Sequence, residues 1–212
     1  MLDKARYIVV EGPIGVGKTS LARRLAEHLQ APTLFEKPEE NPFLGRFYQN
    51  MERYALQTQL FFLFQRMEQL REVAQDDLFS GRLVADFLID KDPLFASMNL
   101  TDDEYALYRQ IFTALKLQAP APDLVIYLQV DADTLAERVR RRGVDAERRI
   151  SESYLARVVE RYARFFYQYD ASPLFIVNAE ELNPVDNDDD FALLVERLTQ
   201  MRSFREFFGY AT

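Results

Sequence analysis

The feature that most constrains this chain is a glycine-rich loop near its start. Residues 11–20 read EGPIGVGKTS, after the apolar run 7–10 and before a segment of helical periodicity that begins at Leu21. Residues 12–19 fit the pattern G-x-x-x-x-G-K-[ST] at every position. Glycines in such a loop let backbone N–H groups turn inward around phosphate oxygens, and the helix that follows adds its positive N-terminal end. The predicted nucleoside-triphosphate site comprises Gly12, Pro13, Ile14, Gly15, Val16, Gly17, Lys18, Thr19 and Ser20.

Short apolar stretches along the chain predict β-strands. They cover residues 6–10, 33–35, 83–85, 124–130 and 174–177. Segments of helical periodicity separate them, and parallel neighbours in a sheet need such helical crossovers. We therefore predict a three-layer α/β fold, in which helices flank a five-stranded parallel sheet on both faces. Residues 1–212 are predicted to form one domain that binds its ligand beyond the carboxyl ends of the strands.

Charge and cysteine content narrow the classes of partner. The chain has 34 acidic and 26 basic residues, a formal net charge of -8, which argues against a nucleic-acid polymer as partner. It has no cysteine, which excludes disulfides and thiolate metal sites. Its start lacks the pattern of a signal peptide, and no apolar run approaches the length that spans a membrane. We expect a cytoplasmic protein with no membrane partner.

Acidic residues follow two of the predicted strands. Glu36 comes after the second strand and Asp86 after the third, so a parallel sheet would bring both carboxylates to the edge that carries the phosphate loop. Asp86 resembles the acid that closes a Walker B strand and holds Mg²⁺. The predicted metal ligands are therefore Thr19 and Asp86, while Lys18 reaches the terminal phosphates. Considered alone, an acid at a strand end is more often a helix cap or a surface charge.

An arginine-rich segment follows the fourth predicted strand. Residues 137–143 read ERVRRRG, with four arginines in five positions before a glycine. The pattern is typical of a mobile lid that lowers guanidinium groups onto phosphates, although a solvated basic helix end has the same composition. The phosphate loop in an otherwise acidic chain favours the lid, which we place at about residues 138–149.

Together these residues resemble the deoxyribonucleoside kinases, which share a P-loop kinase fold with thymidylate-type nucleotide kinases. The most specific stretch is residues 36–44, EKPEENPFL, leading to Phe47 and Tyr48; it is similar to the Glu-Pro-Val-x-x-Asn-Pro segment of the family. The resemblance implies that ATP with Mg²⁺ is the phosphate donor. It also implies that Glu36 is the catalytic base that accepts the proton of the sugar 5′-hydroxyl. Lys37 stands here in place of the usual proline.

The resemblance also implies the substrate-binding residues Tyr48, Gln59, Arg66, Asp92 and Glu147. Tyr48 and Glu147 look like the pair that binds the sugar 3′-hydroxyl, and Gln59 looks like the amide that reads the base. Gln57, two residues away, is the rival for that role. Arg66 and Asp92 look like a polar pair at the far end of the base pocket. That pair suits a purine or deoxycytidine better than thymidine.

The lid and the third strand match the family less completely. Arg138 and Arg142 match catalytic lid arginines, as Lys18 matches the catalytic lysine of the loop, but Val144 stands where a third arginine often occurs. The family usually continues the acidic strand end with Arg-Ser, whereas Phe87 follows Asp86 here. Either a neighbouring arginine takes the missing position beside the base, or catalysis is weaker.

The leading hypothesis is therefore an ATP-dependent, Mg²⁺-requiring kinase of deoxynucleosides. A nucleoside monophosphate kinase is one alternative, but the acceptor phosphate would need an arginine near the second strand. Lys37 and Arg46 are the basic residues there, and Glu39 and Glu40 oppose them. The other alternative is a nucleotide-binding regulatory protein whose kinase activity has decayed. The family commonly pairs its helices, so a homodimer is expected.

Overall fold

The computed structural model describes residues 1–75, 81–116, 119–144, 147 and 150–209. Its strands are β1 (Tyr7–Glu11), β2 (Thr33–Leu34), β3 (Leu83–Ala85), β4 (Leu124–Gln129), β5 (Leu174–Asn178) and β6 (Arg205–Phe208). They form one sheet in the order β2-β3-β1-β4-β5-β6, and every neighbouring pair is parallel. The prediction of a parallel sheet is confirmed, but the described residues form six strands in it, not five.

The missed strand, β6, lies at the edge of the sheet next to β5. Its sequence is REFF, and no residue in it is fully buried. A strand at an edge has one open side and does not need the continuous apolar run that marks a strand buried on both faces. The apolar pattern used for the other strands therefore could not find it.

Helices connect the strands and cover both faces of the sheet. They are α1 (Lys18–Leu29), α2 (Leu44–Phe47), α3 (Met51–Gln75), α4 (Asp92–Asn99), α5 (Asp102–Lys116), α6 (Ala132–Arg142), α7 (Glu152–Gln168) and α8 (Asp188–Gln200). Short 3₁₀ segments add Leu2–Lys4, Pro38–Glu40 and Ile89–Lys91. Within the described ranges, none of these helices combines the length and the apolar character that crossing a bilayer requires.

The core has two halves, one on each face of the sheet. In β1, Ile8 points into the half that contains Leu25 of α1, and Val9 points into the half that contains Leu63 and Met67 of α3. All five residues of β1 are buried, as expected for a central parallel strand that is covered on both faces. This packing holds the carboxyl end of β1, and the loop that follows it, in a fixed place.

The phosphate loop depends on glycine for its shape. Gly15 and Gly17 have φ angles of 83° and 103°, in the left-handed region that other residues avoid. A Cβ atom on Gly12 would lie 2.9 Å from the carbonyl oxygen of Leu128. Gly17 is the N-cap residue of α1, so the N-terminus of the helix directly adjoins the loop.

Candidate active site

A cavity of about 530 Å³ lies beside the phosphate loop, where β1, β2 and β3 end. This volume suits a small organic ligand. The predicted site residues that line it are Ile14, Lys18, Thr19, Glu36, Tyr48, Gln59, Arg66, Asp86, Arg142 and Glu147. Arg138, Asp92 and the other residues of the phosphate loop lie outside its lining. Most of the predicted site residues therefore line one cavity at the carboxyl ends of these strands.

The phosphate end of the cavity combines a lysine with two oxygen donors. The hydroxyl of Thr19 donates to Oδ2 of Asp86 over 2.5 Å, and the backbone N–H of Glu36 donates to Oδ1 of Asp86 over 2.8 Å. Burial raises the pKa of Asp86 against these hydrogen bonds. Burial, and then the positive charge of Lys91, lower the pKa of Lys18. Hydroxyl and carboxylate oxygens are the ligands that Mg²⁺ prefers.

Glu36 follows β2 and is clamped by a guanidinium group. Nε of Arg66 donates to Oε1 of Glu36 over 2.7 Å, and Nη2 of Arg66 donates to the same oxygen. Nζ of Lys91 lies 3.9 Å from that oxygen. Burial by itself would raise the pKa of Glu36, but the charges of Arg66, Lys91 and Lys18 outweigh it and lower the pKa to about 2. Glu36 is therefore ionised at neutral pH and fixed in direction.

Arg66 pairs with Asp92 and also contacts Glu36, a contact that the sequence does not predict. It lies between Glu36 and Asp92 and contacts both, so it is more than a polar group at the far end of the base pocket. Phe87 is fully buried in the apolar core and offers nothing to the cavity. A neighbouring arginine thus contacts the glutamate that position 87 does not reach.

The far end of the cavity is organised by Asp92. This residue is fully buried, and its carboxylate accepts hydrogen bonds from Nη1 of Arg66 and from the hydroxyl of Tyr108. Nε2 of Gln59 donates to Oδ1 of Asp92 over 2.7 Å and to its carbonyl oxygen over 3.1 Å. Asp92 therefore orients Arg66 and Gln59 from behind. Gln57, the rival of Gln59, is exposed.

Tyr48 and Glu147 line another wall of the cavity. Glu147 is 8% exposed, and its Oε1 accepts a hydrogen bond from Nη1 of Arg142 over 3.1 Å. Its Oε2 is buried and has no hydrogen-bond partner within the described part of the chain. Burial raises the pKa of Glu147, and Arg142 opposes this. Burial raises the pKa of Tyr48 as well, so its phenol stays protonated and can donate. The pair offers a donor and an acceptor side by side.

The two predicted lid arginines, both on α6, differ in their surroundings. Arg142 lines the cavity, whereas Arg138 donates to the carbonyl oxygens of Ala179, over 2.5 Å, and of Val16 in the phosphate loop, over 3.4 Å. Backbone carbonyls thus hold the guanidinium group of Arg138 outside the cavity lining, and its contact with phosphates stays a prediction. Residues 145, 146, 148 and 149 of the predicted lid lie outside the described residues.

Sequence reasoning missed a buried ion pair beside the site. The fully buried Glu11 accepts from Nζ of Lys91 over 3.0 Å, and Lys91 is itself 2% exposed. The ion pairs of Lys91 and Arg66 then link five charges in alternating order, here called the charge row: Glu11, Lys91, Glu36, Arg66 and Asp92. A glutamate directly after an apolar strand was a visible signal. Nothing in the sequence showed which cation it would meet.

Comparisons with known proteins agree with this geometry. The family model for deoxynucleoside kinase matches residues 8–202. Deoxyguanosine kinase of Bacillus subtilis is 31% identical over 205 residues, which are 94% of this chain and 99% of that protein. Deoxyadenosine kinase of Lactobacillus acidophilus is 32% identical over 196 residues, or 86% of this chain and 89% of that protein. The structure of deoxyadenosine kinase from M. mycoides with dCMP and dCDP bound has a TM-score of 0.80 at 26% identity, covering 92% of this chain and 99% of that one.

These findings decide between the hypotheses. They confirm the predicted resemblance and the P-loop kinase fold, and they favour a deoxynucleoside kinase over both alternatives. The match covers the phosphate loop and the cavity, so it concerns the same residues that the geometry brings together. The chain belongs to the deoxynucleoside kinase family and is a kinase.

Proposed function

We propose that this protein transfers the γ-phosphoryl group of ATP to the 5′-hydroxyl of a deoxyribonucleoside, producing ADP and the 5′-monophosphate. The observation that carries the proposal is the position of Glu36. Its ionised carboxylate shares one cavity with Lys18 of the phosphate loop and with Tyr48 and Glu147. This transfer needs a base that shares one cavity with groups able to bind phosphates and sugar hydroxyls.

In the proposed reaction, the 5′-oxygen attacks the γ-phosphorus while the bond from that phosphorus to the bridging oxygen breaks and ADP leaves. The hydroxyl proton passes to the carboxylate of Glu36. Because the pKa of Glu36 is low, the carboxylate is a weak base and takes the proton late, when the new P–O bond is largely formed. Lys18 and Arg142 neutralise the charge that spreads over the phosphoryl oxygens.

We further propose that Thr19 and Asp86 hold Mg²⁺ with the ATP phosphates. Mg²⁺ usually takes one or two protein ligands beside phosphate oxygens and water, and the contact between the Thr19 hydroxyl and the Asp86 carboxylate supplies such a pair. When bound there, the ion would neutralise the negative charge of the ATP phosphates.

The far end of the cavity supports a purine or deoxycytidine as the base. Asp92 offers acceptors to the amide nitrogen of Gln59, so the amide oxygen is the atom left to face a base. An exocyclic amino group, as in adenine, guanine or cytosine, can donate to that oxygen, whereas thymine has no amino group and offers only its ring N3–H. The relatives named deoxyguanosine kinase and deoxyadenosine kinase, and the M. mycoides structures with dATP and dCTP bound, support this preference.

The test is ADP release from ATP and Mg²⁺ with deoxyadenosine, deoxyguanosine, deoxycytidine, thymidine or deoxyadenosine monophosphate as acceptor. We expect turnover of a deoxynucleoside, reduced about 10²–10⁴-fold in Glu36→Gln because the base is lost. Glu40→Gln is the matched control, since Glu40 lies in the same segment but pairs with Lys37 at the surface. Activity on the monophosphate alone, or on no acceptor, would contradict the proposal.

We also propose a cytoplasmic homodimer that acts in deoxynucleoside salvage. The family resemblance supports this proposal, and dimerisation stays a prediction. Light scattering in solution should give twice the mass of the chain.

A further inference from the structure

Lys91 is a buried lysine next to Glu36, the proposed catalytic base. It ends the 3₁₀ segment Ile89–Lys91, and its Nζ lies 3.0 Å from Oε1 of Glu11 and 3.9 Å from Oε1 of Glu36. It also lines the cavity, together with Lys18. A second cation therefore faces Glu36 from a different element than Arg66, which lies on α3.

Glu11 holds this lysine and the phosphate loop at once. Its Oε1 accepts from the N–H of Gly12 over 2.9 Å and from the hydroxyl of Tyr162 over 3.1 Å, and its Oε2 accepts from the N–H of Leu88 over 2.8 Å. One carboxylate thus binds the first residue of the loop, the chain after β3 and the ammonium of Lys91. All these contacts are buried, so they fix the lysine relative to the loop.

Stability of the fold does not explain this pair. Removing two charges from water is costly, and an apolar pair of similar volume is often at least as stable in a protein interior. Lys91 nevertheless lines the cavity beside Glu36, and Glu11, which holds it, accepts a hydrogen bond from the first residue of the phosphate loop. The position points to a use of the charge in the site itself.

Position 87 carries no cation that could contact Glu36. The family that the sequence resembles usually has an arginine there, but Phe87 points into the apolar core and is fully buried. The chain continues from Phe87 through Leu88 into the short 3₁₀ segment, and the cation beside Glu36 comes from position 91.

We propose that Lys91, held by Glu11, is a positioning residue for Glu36: it fixes the carboxylate of the base relative to the phosphate loop. The inference rests on the proposed function, because Glu36 must be the base for its position to matter. Lys91 acts through Glu36. Arg66 contacts the same Oε1 atom of Glu36 and is its other neighbour in the charge row.

The electrostatics of the site support this role. The groups that act on the pKa of Glu36 come from several elements: Arg66 from α3, Lys91 from the 3₁₀ segment and Lys18 from α1. After burial and Arg66, Lys91 is the next strongest influence, and it lowers the pKa of Glu36.

The experiment compares variants of the full chain. Lys91→Met removes the charge, and Glu11→Gln/Lys91→Met removes both charges so that no lone buried carboxylate is left. Lys91→Arg keeps the charge. Lys116→Met is the matched control, because Lys116 pairs with Asp90, the residue before Lys91, but is 44% exposed. Steady-state kinetics are measured at neutral pH and saturating ATP and Mg²⁺ with the deoxynucleoside that the wild type prefers, and thermal unfolding checks the fold.

We expect both charge-removing variants to lower kcat by about tenfold or more while the KM for the deoxynucleoside changes by less than about threefold. Lys91→Arg should recover most of kcat, and Lys116→Met should match the wild type.

Several outcomes would overturn the proposal. One is a folded double variant with the kcat of the wild type. Another is a rise in KM with an unchanged kcat, and a third is a double variant that does not fold, since the pair would then serve stability. If the wild type phosphorylates no deoxynucleoside, the proposed function itself is contradicted. In the three outcomes above the wild type is active, so they contradict only the role of Lys91.

Discussion

Glu36→Gln should destabilise the protein as well as slow it, and the size of the effect follows from the clamp around the carboxylate. Glutamine imitates the protonated carboxyl group, so the variant measures what ionisation of Glu36 contributes to folding. A pKa that falls from 4.5 to about 2 corresponds to about 3 kcal/mol at neutral pH. The side chain is only 15% exposed, so solvent screens little of it. For a chain of this length we expect Tm to fall by about 6–12 °C.

The dependence on pH distinguishes this mechanism from a simple loss of packing. The pKa of Glu36 is lower in the folded state than in the unfolded chain. Its stabilisation is therefore complete above the unfolded value and is lost as the pH falls through about 2. At about pH 3 roughly half of it should remain. The difference between wild type and Glu36→Gln should shrink accordingly.

Urea unfolding of both proteins at neutral pH and near pH 3 is the assay. Glu40→Gln serves as control, because an exposed ion pair such as the one between Glu40 and Lys37 contributes about 1 kcal/mol at most. The reasoning is refuted if Glu36→Gln costs less than about 1 kcal/mol at neutral pH. It is equally refuted if the cost is the same at both pH values.

Three further substitutions test other parts of the site. Gly12→Ala would place a Cβ 2.9 Å from the carbonyl oxygen of Leu128, and we expect a loss of about 1–3 kcal/mol in urea unfolding together with weaker ATP binding by calorimetry. Glu147→Gln should raise the KM for deoxynucleosides about 10–100-fold, because a hydrogen bond from the 3′-hydroxyl to a charged acceptor is lost. Its effect on a 2′,3′-dideoxynucleoside should be small, and an equal effect on both would count against a contact with the 3′-hydroxyl. Asp86→Asn should raise the Mg²⁺ concentration needed for half-maximal rate about tenfold, and an unchanged Mg²⁺ titration would remove Asp86 from the metal site.

The sequence predicts site residues well where strand topology alone determines their position, and poorly where helix packing determines it. Asp86 and Glu36 follow parallel strands, and the ends of such strands meet at one edge whatever the helices do. The position of Arg66 could not be obtained in this way, because it depends on how α3 is rotated against the sheet. That rotation is set by apolar packing, including Leu63 and Met67 in the core. A polar residue on such a helix can reach several partners, and the sequence alone does not choose between them.

The buried ion pair was hidden for a related reason. Lys91 reaches Glu11 because a single 3₁₀ turn, Ile89–Lys91, directs it back toward β1. Turns of this length leave little periodic pattern in a sequence. The edge strand β6 was missed because half of its residues are charged, although its backbone pairs with β5.

The alternating order of the charge row has a consequence for how related sequences can differ. Each interior member separates two neighbours of the opposite sign, so losing one leaves like charges facing each other or a buried charge without its counterion. Losing two adjacent members together preserves the balance. Substitutions at Glu11 and Lys91, or at Arg66 and Asp92, should therefore be inherited in pairs, and each first step should be harmful until its partner changes. Glu36 stands between the two pairs and contacts one cation of each, which leaves it the member of the row least free to vary.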